Sequence, residues 1–265
     1  MTTTHPLRPS PFFDRFQRRT RLRAVLETKT GLRIGMGRSV SAVGTDLPLL
    51  RNSSGTPFIP GASIKGVLRS AIESLVRARD ADAAPDPLEP RRRDDSRGEG
   101  DAVERAREKR RELESSSDVI GRIFGTPGLA SHVVFADARP LDAGRLVVET
   151  RDGVAIDRDL GRVSGSKKYD FEVVPAGTQF DLEIVMNDLN DAQEGAVVVG
   201  LDLLDDGLLR LGGFKSRGLG LVGVTSHRVE VIEGPRLARS ERAWGDYHRA
   251  TREAFFEALE KLGGA

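Results

Sequence analysis

The stretch that decides the fold is Pro60-Gly61-Ala62-Ser63-Ile64-Lys65-Gly66-Val67-Leu68-Arg69. Apolar residues recur from here at every third or fourth position, at Ile64, Val67, Leu68, Ala71, Ile72, Leu75 and Val76. This spacing predicts an amphipathic helix packed on a core. We expect Ser63 to cap the helix through its hydroxyl, and Lys65 and Arg69 to share the exposed face. Such a helix start could hold a phosphate, although a solvated face with ordinary surface cations remains the alternative.

A second cationic stretch is Leu211-Gly212-Gly213-Phe214-Lys215-Ser216-Arg217-Gly218-Leu219-Gly220-Leu221. Its glycines allow the backbone to approach a ligand closely, while Lys215 and Arg217 supply charge. The stretch lacks the ending of a P-loop and precedes a predicted strand, so it is neither a P-loop nor a dinucleotide fingerprint. A generic glycine-rich turn is the alternative. Two such segments in one chain favour a polyanionic ligand.

The composition is typical of a single folded domain without a membrane segment. A chain of 265 residues can bury a sizeable core. Lys and Arg number 41 against 40 Asp and Glu, so nucleic-acid binding would require the cations to gather on one face. The absence of cysteine excludes disulfides and thiolate metal sites. No apolar run is long enough to span a membrane, and residues 1–15 lack a signal-peptide core, so we predict a cytoplasmic location.

Alternating apolar and polar residues predict two long strands. The apolar positions are Leu22, Ala24, Leu26 and Thr28 in the first, and Phe180, Leu182, Ile184 and Met186 in the second. Shorter strands are predicted at 133–136, 145–150 and 221–224, and further helices at 192–204, at about 239–262 and in a short segment capped by Ser117. The order strand, helix, strand, strand, helix, strand predicts a ferredoxin-like α+β fold, an antiparallel sheet with helices on one face.

Two charged segments depart from this pattern. The segment at about 79–116 mixes charges of both signs with few apolar residues, so we predict a charged insertion. The segment at about 151–170 combines glycines with cations, which predicts a protruding hairpin. An exposed hairpin without a ligand is the alternative. The core of one domain covering 1–265 would then occupy about 20–78 and 117–225.

These motifs resemble the RAMP superfamily of CRISPR-associated proteins, and more narrowly the repeated backbone subunits of type III effector complexes. The two cationic stretches carry the resemblance, the first as the helix start at 59–66. Further matches occur in the family's order at 30–35, 44–49, 123–125, 151–158 and 171–178. The resemblance covers about 20–225, which is most of the chain.

The resemblance implies that the chain binds guide CRISPR RNA (crRNA), target RNA, copies of itself and other effector subunits. The implied RNA-binding residues are Arg38, Ser63, Lys65, Arg69, Gly213, Lys215, Arg217 and Gly218. The hairpin would be a thumb that wedges into the guide–target duplex, with Ile156, Arg158 and Lys167. Aromatic residues make up only 5% of the chain, so we expect RNA to be held by its backbone.

Asp46 is the catalytic residue that the resemblance implies. Taken alone, an Asp close to Pro48 is an ordinary turn former. In the resembled subunits an Asp in this setting is needed to cut target RNA. Its carboxylate could weakly hold Mg²⁺ or another divalent cation near a phosphate, or act as a general base on a 2′-hydroxyl. The expected activity is that of a metal-dependent endoribonuclease working within a complex.

Two other functions remain open. The chain could be a structural RNA-binding subunit in which Asp46 is idle. It could also be a metal-independent ribonuclease that processes the CRISPR precursor, although related enzymes use a histidine near the first helix and residues 35–69 contain none. The histidines, His5, His132, His227 and His248, form no ligand-spaced pair, so no zinc site is predicted.

Overall fold

The computed structural model describes residues 13, 16–37, 44–84, 118–126, 129–156, 163–234 and 236–262. Within these residues the chain forms seven strands and four α-helices. The strands are β1 (Arg18–Thr28), β2 (Val133–Phe135), β3 (Glu149–Ile156), β4 (Val163–Val173), β5 (Gln179–Asn187), β6 (Val222–Glu233) and β7 (Ala238–Arg242). The helices are α1 (Gly61–Arg79), α2 (Val119–Phe124), α3 (Asp191–Asp205) and α4 (Trp244–Leu262).

β1 is the central strand of a five-stranded antiparallel sheet with the order β2-β5-β1-β6-β7. Leu22 and Leu26 on β1 are fully buried, whereas Arg19 and Arg23 are exposed, so the alternating pattern is confirmed. The first four strands in this order, joined through α1 and α3, have the ferredoxin-like topology. The predicted α+β fold class is therefore confirmed, and β7 adds an edge strand.

The core lies between the buried face of the sheet and the apolar sides of the helices. Ile64, Leu68 and Ile72 of α1 are fully buried, as the spacing predicts. α1 and α3 approach closely at Gly200, where a Cβ atom would lie 2.8 Å from Cγ of Leu68. This contact leaves no room for a larger residue at Gly200.

The start of α1 differs from the prediction. The helix begins at Gly61, so Ser63 lies inside the first turn and Pro60 occupies the N-cap position without a side-chain cap. The Gly61 amide donates instead to Oδ1 of Asp137, at 2.9 Å. The cap comes from a residue beyond β2, which local sequence around Ser63 does not reveal.

Other element boundaries also differ. Asp118 caps α2 by accepting a hydrogen bond from the Gly121 amide at 2.6 Å, while Ser117 lies outside the described residues. The strand predicted at 145–150 begins at Glu149 and forms part of the hairpin. The helix predicted from 239 begins at Trp244, because β7 occupies the preceding residues. β7 is missed since Ala238–Arg242 has no apolar alternation and is largely exposed at the sheet edge.

α4 is held to the sheet through a buried carboxylate. Glu194 on α3 accepts hydrogen bonds from Thr20 Oγ1 at 2.6 Å, Tyr247 Oη at 2.7 Å and Arg18 Nη2 at 2.9 Å. Burial raises the pKa of Glu194, whereas the charge of Arg18 opposes that rise. The three donors compensate the carboxylate for its lost hydration and join β1, α3 and α4.

β3 and β4 form a separate two-stranded antiparallel hairpin, with Glu149 opposite Val173 and Ile156 opposite Val163. This agrees with the hairpin predicted at 151–170. Most of the insertion predicted at about 79–116 falls within residues 85–117, which lie outside the described residues, so it stays a prediction. Among the residues described, no helix combines the length and the apolar character that crossing a membrane requires.

Candidate nucleic-acid interface

The two cationic stretches meet in one cleft of about 520 Å³. α1 contributes Ser63, and the glycine-rich stretch contributes Gly212, Gly213 and Phe214. The remaining lining residues come from the segment after β1 and from the loop before α1: Arg33, Ile34, Gly35, Gly37 and Leu47. The fold therefore brings together two segments that are far apart in sequence.

Glycines allow the backbone segments of this cleft to touch. Gly212 has φ +76°, and a Cβ atom there would lie 2.2 Å from the Arg33 carbonyl oxygen. The Gly213 amide donates to the same oxygen at 2.8 Å. Gly218 has φ +89° and open space around it, so part of the loop remains accessible. The glycines thus serve chain packing at Gly212 and leave the backbone open at Gly218.

Arg33 is a functional candidate that the sequence analysis missed. It is only 8% exposed and lines the cleft. Its Nε is buried without a hydrogen-bond partner, and its guanidinium lies over the Phe214 ring at 5.1 Å. Burial lowers the pKa of Arg33, an effect that the Glu172 charge opposes, but a guanidinium remains cationic at neutral pH. A buried cation facing a cleft favours an anionic ligand.

Phe214 links the two halves of the loop. It has the left-handed φ of +58°, and its ring also contacts the Arg217 guanidinium at 4.5 Å. Arg217 additionally donates to the Tyr169 hydroxyl on β4. Lys215 and Arg217 both remain exposed. Lys215 lines a neighbouring groove of about 720 Å³ beside Gly66 of α1.

The two cations on α1 are less accessible than predicted. Lys65 is half-buried, and its Nζ donates to Ser131 Oγ at 2.9 Å. Burial lowers the pKa of Lys65, and the neighbouring Arg69 charge lowers it further. Arg69 donates to Glu73 Oε1 at 2.7 Å and to the Gly125 carbonyl at 2.7 Å. The prediction of a freely exposed Arg69 is therefore wrong, because this side chain joins α1 to the end of α2.

The loop containing Asp46 lies against the root of the hairpin. The Asp46 amide donates to Asp170 Oδ1 at 2.7 Å, and the Asp170 amide donates to Asp46 Oδ2 at 3.2 Å. Next to this pair, Leu47 forms a parallel bridge with Phe171 on β4. Since Leu47 also lines the cleft, Asp46 lies at its border.

A small second hydrophobic cluster joins the three segments of the site. It consists of the buried Phe171, Val173 and Leu219, against which Leu47, Tyr169 and Phe214 pack. Phe214 meets Phe171 edge-on, with ring centroids 5.0 Å apart. The hairpin root, the Asp46 loop and the glycine-rich stretch are therefore packed together.

Some predicted site residues cannot be placed. Arg38 and Arg158 lie outside the described residues. Ile156 and Lys167 belong to β3 and β4, but their side chains also lie outside what the structure describes. The RNA contacts expected of these four residues stay predictions.

Protein ligands for a tightly held metal ion are few. Over the described parts of the chain, no group of three His, Asp or Glu residues is arranged to hold a metal ion. None of the described histidines lines the cleft: His132 stacks on Phe13, His227 stacks on Trp244, and His248 contacts Asp202. At the cleft border, the carboxylates of Asp46 and Asp170 each accept the other residue's backbone amide.

The chain is similar to proteins named CRISPR system Cms endoribonuclease Csm3. The one from Methanothermobacter thermautotrophicus is 26% identical over 248 residues, covering 88% of this chain and 95% of that protein. The one from Methanocaldococcus jannaschii is 26% identical, covering 76% of each chain. The Streptococcus thermophilus protein is 23% identical, covering 80% of this chain and 89% of its own. The model of the RAMP superfamily matches residues 25–223. The resemblance seen in the sequence is confirmed, and the chain belongs to the RAMP superfamily.

Proposed function

We propose that this chain is a guide-RNA-binding backbone subunit of a type III CRISPR complex and cuts the paired target RNA. The observation that carries the proposal is the shared cleft of Ser63 and Gly213, with the Asp46 loop at its border. The similarity to Csm3 endoribonucleases supports the same activity. The proposed partners are crRNA, target RNA, further copies of the chain and other effector subunits.

The charge around the cleft supports binding of the guide backbone. Arg33, Lys65, Lys215 and Arg217 form no ion pair with a carboxylate in the described part of the chain. No close carboxylate neutralises these charges within the described residues, although the Glu172 charge acts on Arg33, and the whole chain carries a net charge of +1. Phosphates would replace the missing counterions, which is the usual source of affinity for nucleic acid.

Other groups of the cleft would complete the phosphate contacts. Ser63 and Gly213 line the cleft, and Ser63 can donate its hydroxyl. The open backbone at Gly218 allows a strand to approach closely. Arg69 would contribute less than the notional exposed cation, because its Nε and Nη1 already bond Glu73 and the Gly125 carbonyl, which leaves its buried Nη2 for a further contact. The hairpin would act as the thumb that enters the guide–target duplex.

Asp46 is proposed as the group that acts on the target. Its Oδ2 accepts the Asp170 amide, so one carboxylate oxygen is fixed by the protein and the other can face RNA. A single carboxylate fits a divalent ion that is held only weakly and shared with RNA phosphates. When bound, such an ion would supply charge neutralisation at the phosphate. Asp46 itself would orient toward the reacting ribose and could accept the 2′-hydroxyl proton.

The test is target cleavage by an assembled complex that carries Asp46→Ala, with guide content measured in parallel. We expect cleavage to fall by at least about 100-fold while the guide is retained, on the scale of losing a general acid or base. Asp142→Ala is the matched control, because Asp142 also accepts a backbone amide at the surface, from Arg145 at 3.2 Å. Unchanged cutting by Asp46→Ala would leave only a structural role for the subunit.

A second measurement separates the proposal from precursor processing. The purified chain is incubated with a repeat-containing CRISPR transcript in the presence of a metal chelator. We expect no cleavage at a defined site. Specific cleavage under these conditions would favour a processing ribonuclease over the proposed function.

A further inference from the structure

Asp46 and Asp170 hold each other through reciprocal hydrogen bonds between side chain and backbone. Asp170 Oδ1 accepts the Asp46 amide at 2.7 Å, and Asp46 Oδ2 accepts the Asp170 amide at 3.2 Å. The two residues are 124 positions apart in the chain, so the pair is a tertiary contact and not a turn. Both hydrogen bonds are partly buried. A hydrogen bond from an amide to a carboxylate is stronger there than at a fully hydrated surface.

The backbone beside this pair is held in the same way. The Leu47 amide donates to the Asp170 carbonyl at 3.2 Å, and the Glu172 amide donates to the Leu47 carbonyl at 3.2 Å. Two residues further on, Glu172 Oε2 accepts the Leu49 amide at 2.8 Å. Glu172 Oε1 is in turn 3.1 Å from Arg51 Nη2. Side chains of β4 therefore bond the loop on both sides of the single bridge at Leu47.

We propose that Asp170 is a positioning residue for Asp46. By accepting the Asp46 amide, it fixes the backbone from which the Asp46 carboxylate extends, and its own amide restrains one carboxylate oxygen. The other carboxylate oxygen, Oδ1, then extends from a restrained backbone next to Leu47, which lines the cleft. This inference rests on the proposed function, because it holds that the Asp46 loop is restrained in order to cut RNA.

The position of Asp170 also connects cleavage to the hairpin. β4 carries Asp170 and Glu172 at the hairpin root, and the same strand carries Tyr169 and Phe171 of the second hydrophobic cluster. When the hairpin docks on the duplex, β4 would therefore also hold the loop that carries Asp46. No other described strand makes a hydrogen bond to the Asp46 amide.

The experiment compares Asp170→Ala with Asp170→Asn in an assembled, guide-loaded complex. Asn keeps an oxygen that can accept the Asp46 amide, whereas Ala removes it. At saturating target, we expect Asp170→Ala to slow single-turnover cleavage by about 10- to 100-fold, as a displacement of about 1 Å can do. We expect Asp170→Asn to cleave at close to the wild-type rate, and target affinity to be unchanged in both. Asp142→Ala is again the control.

Two results would overturn the inference. One is wild-type cleavage by Asp170→Ala. The other is equal loss in Asp170→Asn and Asp170→Ala, because the charge of Asp170 would then matter and not its role as an acceptor. Cleavage that survives Asp46→Ala removes the proposed function, whereas cleavage lost in Asp46→Ala but normal in Asp170→Ala removes only this inference.

A readout that does not depend on cleavage is amide hydrogen exchange in residues 44–50 of the full chain. We expect faster exchange in Asp170→Ala, because the Asp46 amide loses its acceptor, and near-normal protection in Asp170→Asn. Equal exchange in all three proteins would contradict the positioning role. This measurement also detects a variant that fails to fold, since exchange would then rise throughout the sheet.

Discussion

Among single residues, Arg33 is a buried cation at the wall of the cleft. The side chain is buried, its Nε has no hydrogen-bond partner, and Phe214 covers its guanidinium. The charge of Glu172 acts on Arg33, but none of the described carboxylates forms a close ion pair with it. A desolvated cation without a close ion pair costs stability, and such a cost is typical of functional sites. A phosphate bound in the cleft would compensate this cost.

Replacement of Arg33 tests this interpretation. We expect Arg33→Gln to weaken guide binding, and to reduce the slope of log affinity against log salt by about 0.7 for each lost phosphate contact on a single strand. Arg23→Gln is the control, because Arg23 is exposed, pairs with Glu183 and does not line the cleft. The measurement is guide affinity over a series of salt concentrations. An unchanged slope for Arg33→Gln would contradict a phosphate contact at this residue.

At the level of elements, the start of α1 depends on close packing against β2 as well as on the Asp137 carboxylate that accepts the Gly61 amide. A Cβ atom at Gly61 would lie 2.1 Å from the carbonyl oxygen of Phe135, the last residue of β2. Gly66 lies in the same helix, and a Cβ atom there would meet nothing within 4 Å. A side chain therefore does not fit at Gly61, whereas one fits freely at Gly66.

A pair of alanine substitutions measures this difference. We expect Gly61→Ala to destabilise the protein by about 1–3 kcal/mol, because the added methyl overpacks the contact with β2. We expect Gly66→Ala to stabilise it by about 0.5–1 kcal/mol, because alanine loses less backbone entropy in a helix. Chemical denaturation of both variants provides the free energies of unfolding. Similar values for the two would show that packing at Gly61 is not limiting.

Elements with a regular apolar pattern were predictable from sequence, whereas boundaries set by distant residues were not. Buried apolar residues recur with the period of a strand in β1, as at Leu22 and Leu26, and with that of a helix in α1, as at Ile64 and Leu68. β7 has no such pattern, because an edge strand exposed on both faces needs none. The cap of α1 comes from Asp137, which no rule about neighbouring residues connects to Gly61.

The same distinction applies to the site. Ser63 and Gly213 belong to local motifs, so the sequence identified them before the structure placed them in one cleft. Arg33 and Asp170 were missed, because their importance comes from contacts across the fold. For Arg69 a signal existed: Glu73 follows it by four residues, the spacing of an ion pair on a helix.

At the scale of the whole molecule, α4 closes the fold by packing on α3 and β6. A Cβ atom at Gly195 of α3 would lie 2.1 Å from the Thr251 carbonyl oxygen of α4, so the two helices are in close contact. At the start of α4, the Trp244 ring stacks on His227 of β6, with ring centroids 3.9 Å apart and an interplanar angle of 4°. Burial lowers the pKa of His227, the charge of His248 lowers it further, and Asp205 and Asp202 oppose the change.

This lowered pKa predicts a pH dependence of stability. The unfolded chain takes up a proton at His227 near the ordinary pKa of 6.5, whereas the folded chain does so only at lower pH. Stability is therefore complete above pH 6.5 and falls as the pH drops toward the folded pKa of His227. His227→Phe keeps an aromatic stack without a titrating group, so we expect a smaller loss of stability on acidification. Thermal unfolding of both proteins between about pH 5 and 8 is the measurement, and parallel curves would contradict the prediction.

The central position of β1 has a consequence for synthesis on the ribosome. Within the described residues, β1 pairs with β5 and β6, which are made more than 150 residues later in the chain. At about 5–20 residues per second, the nascent Leu22 and Leu26 wait on the order of ten seconds or more for their neighbours. During that interval both edges of the strand lack their native partners. Chaperones that bind nascent chains should therefore increase the yield of this protein, even if the finished fold is stable.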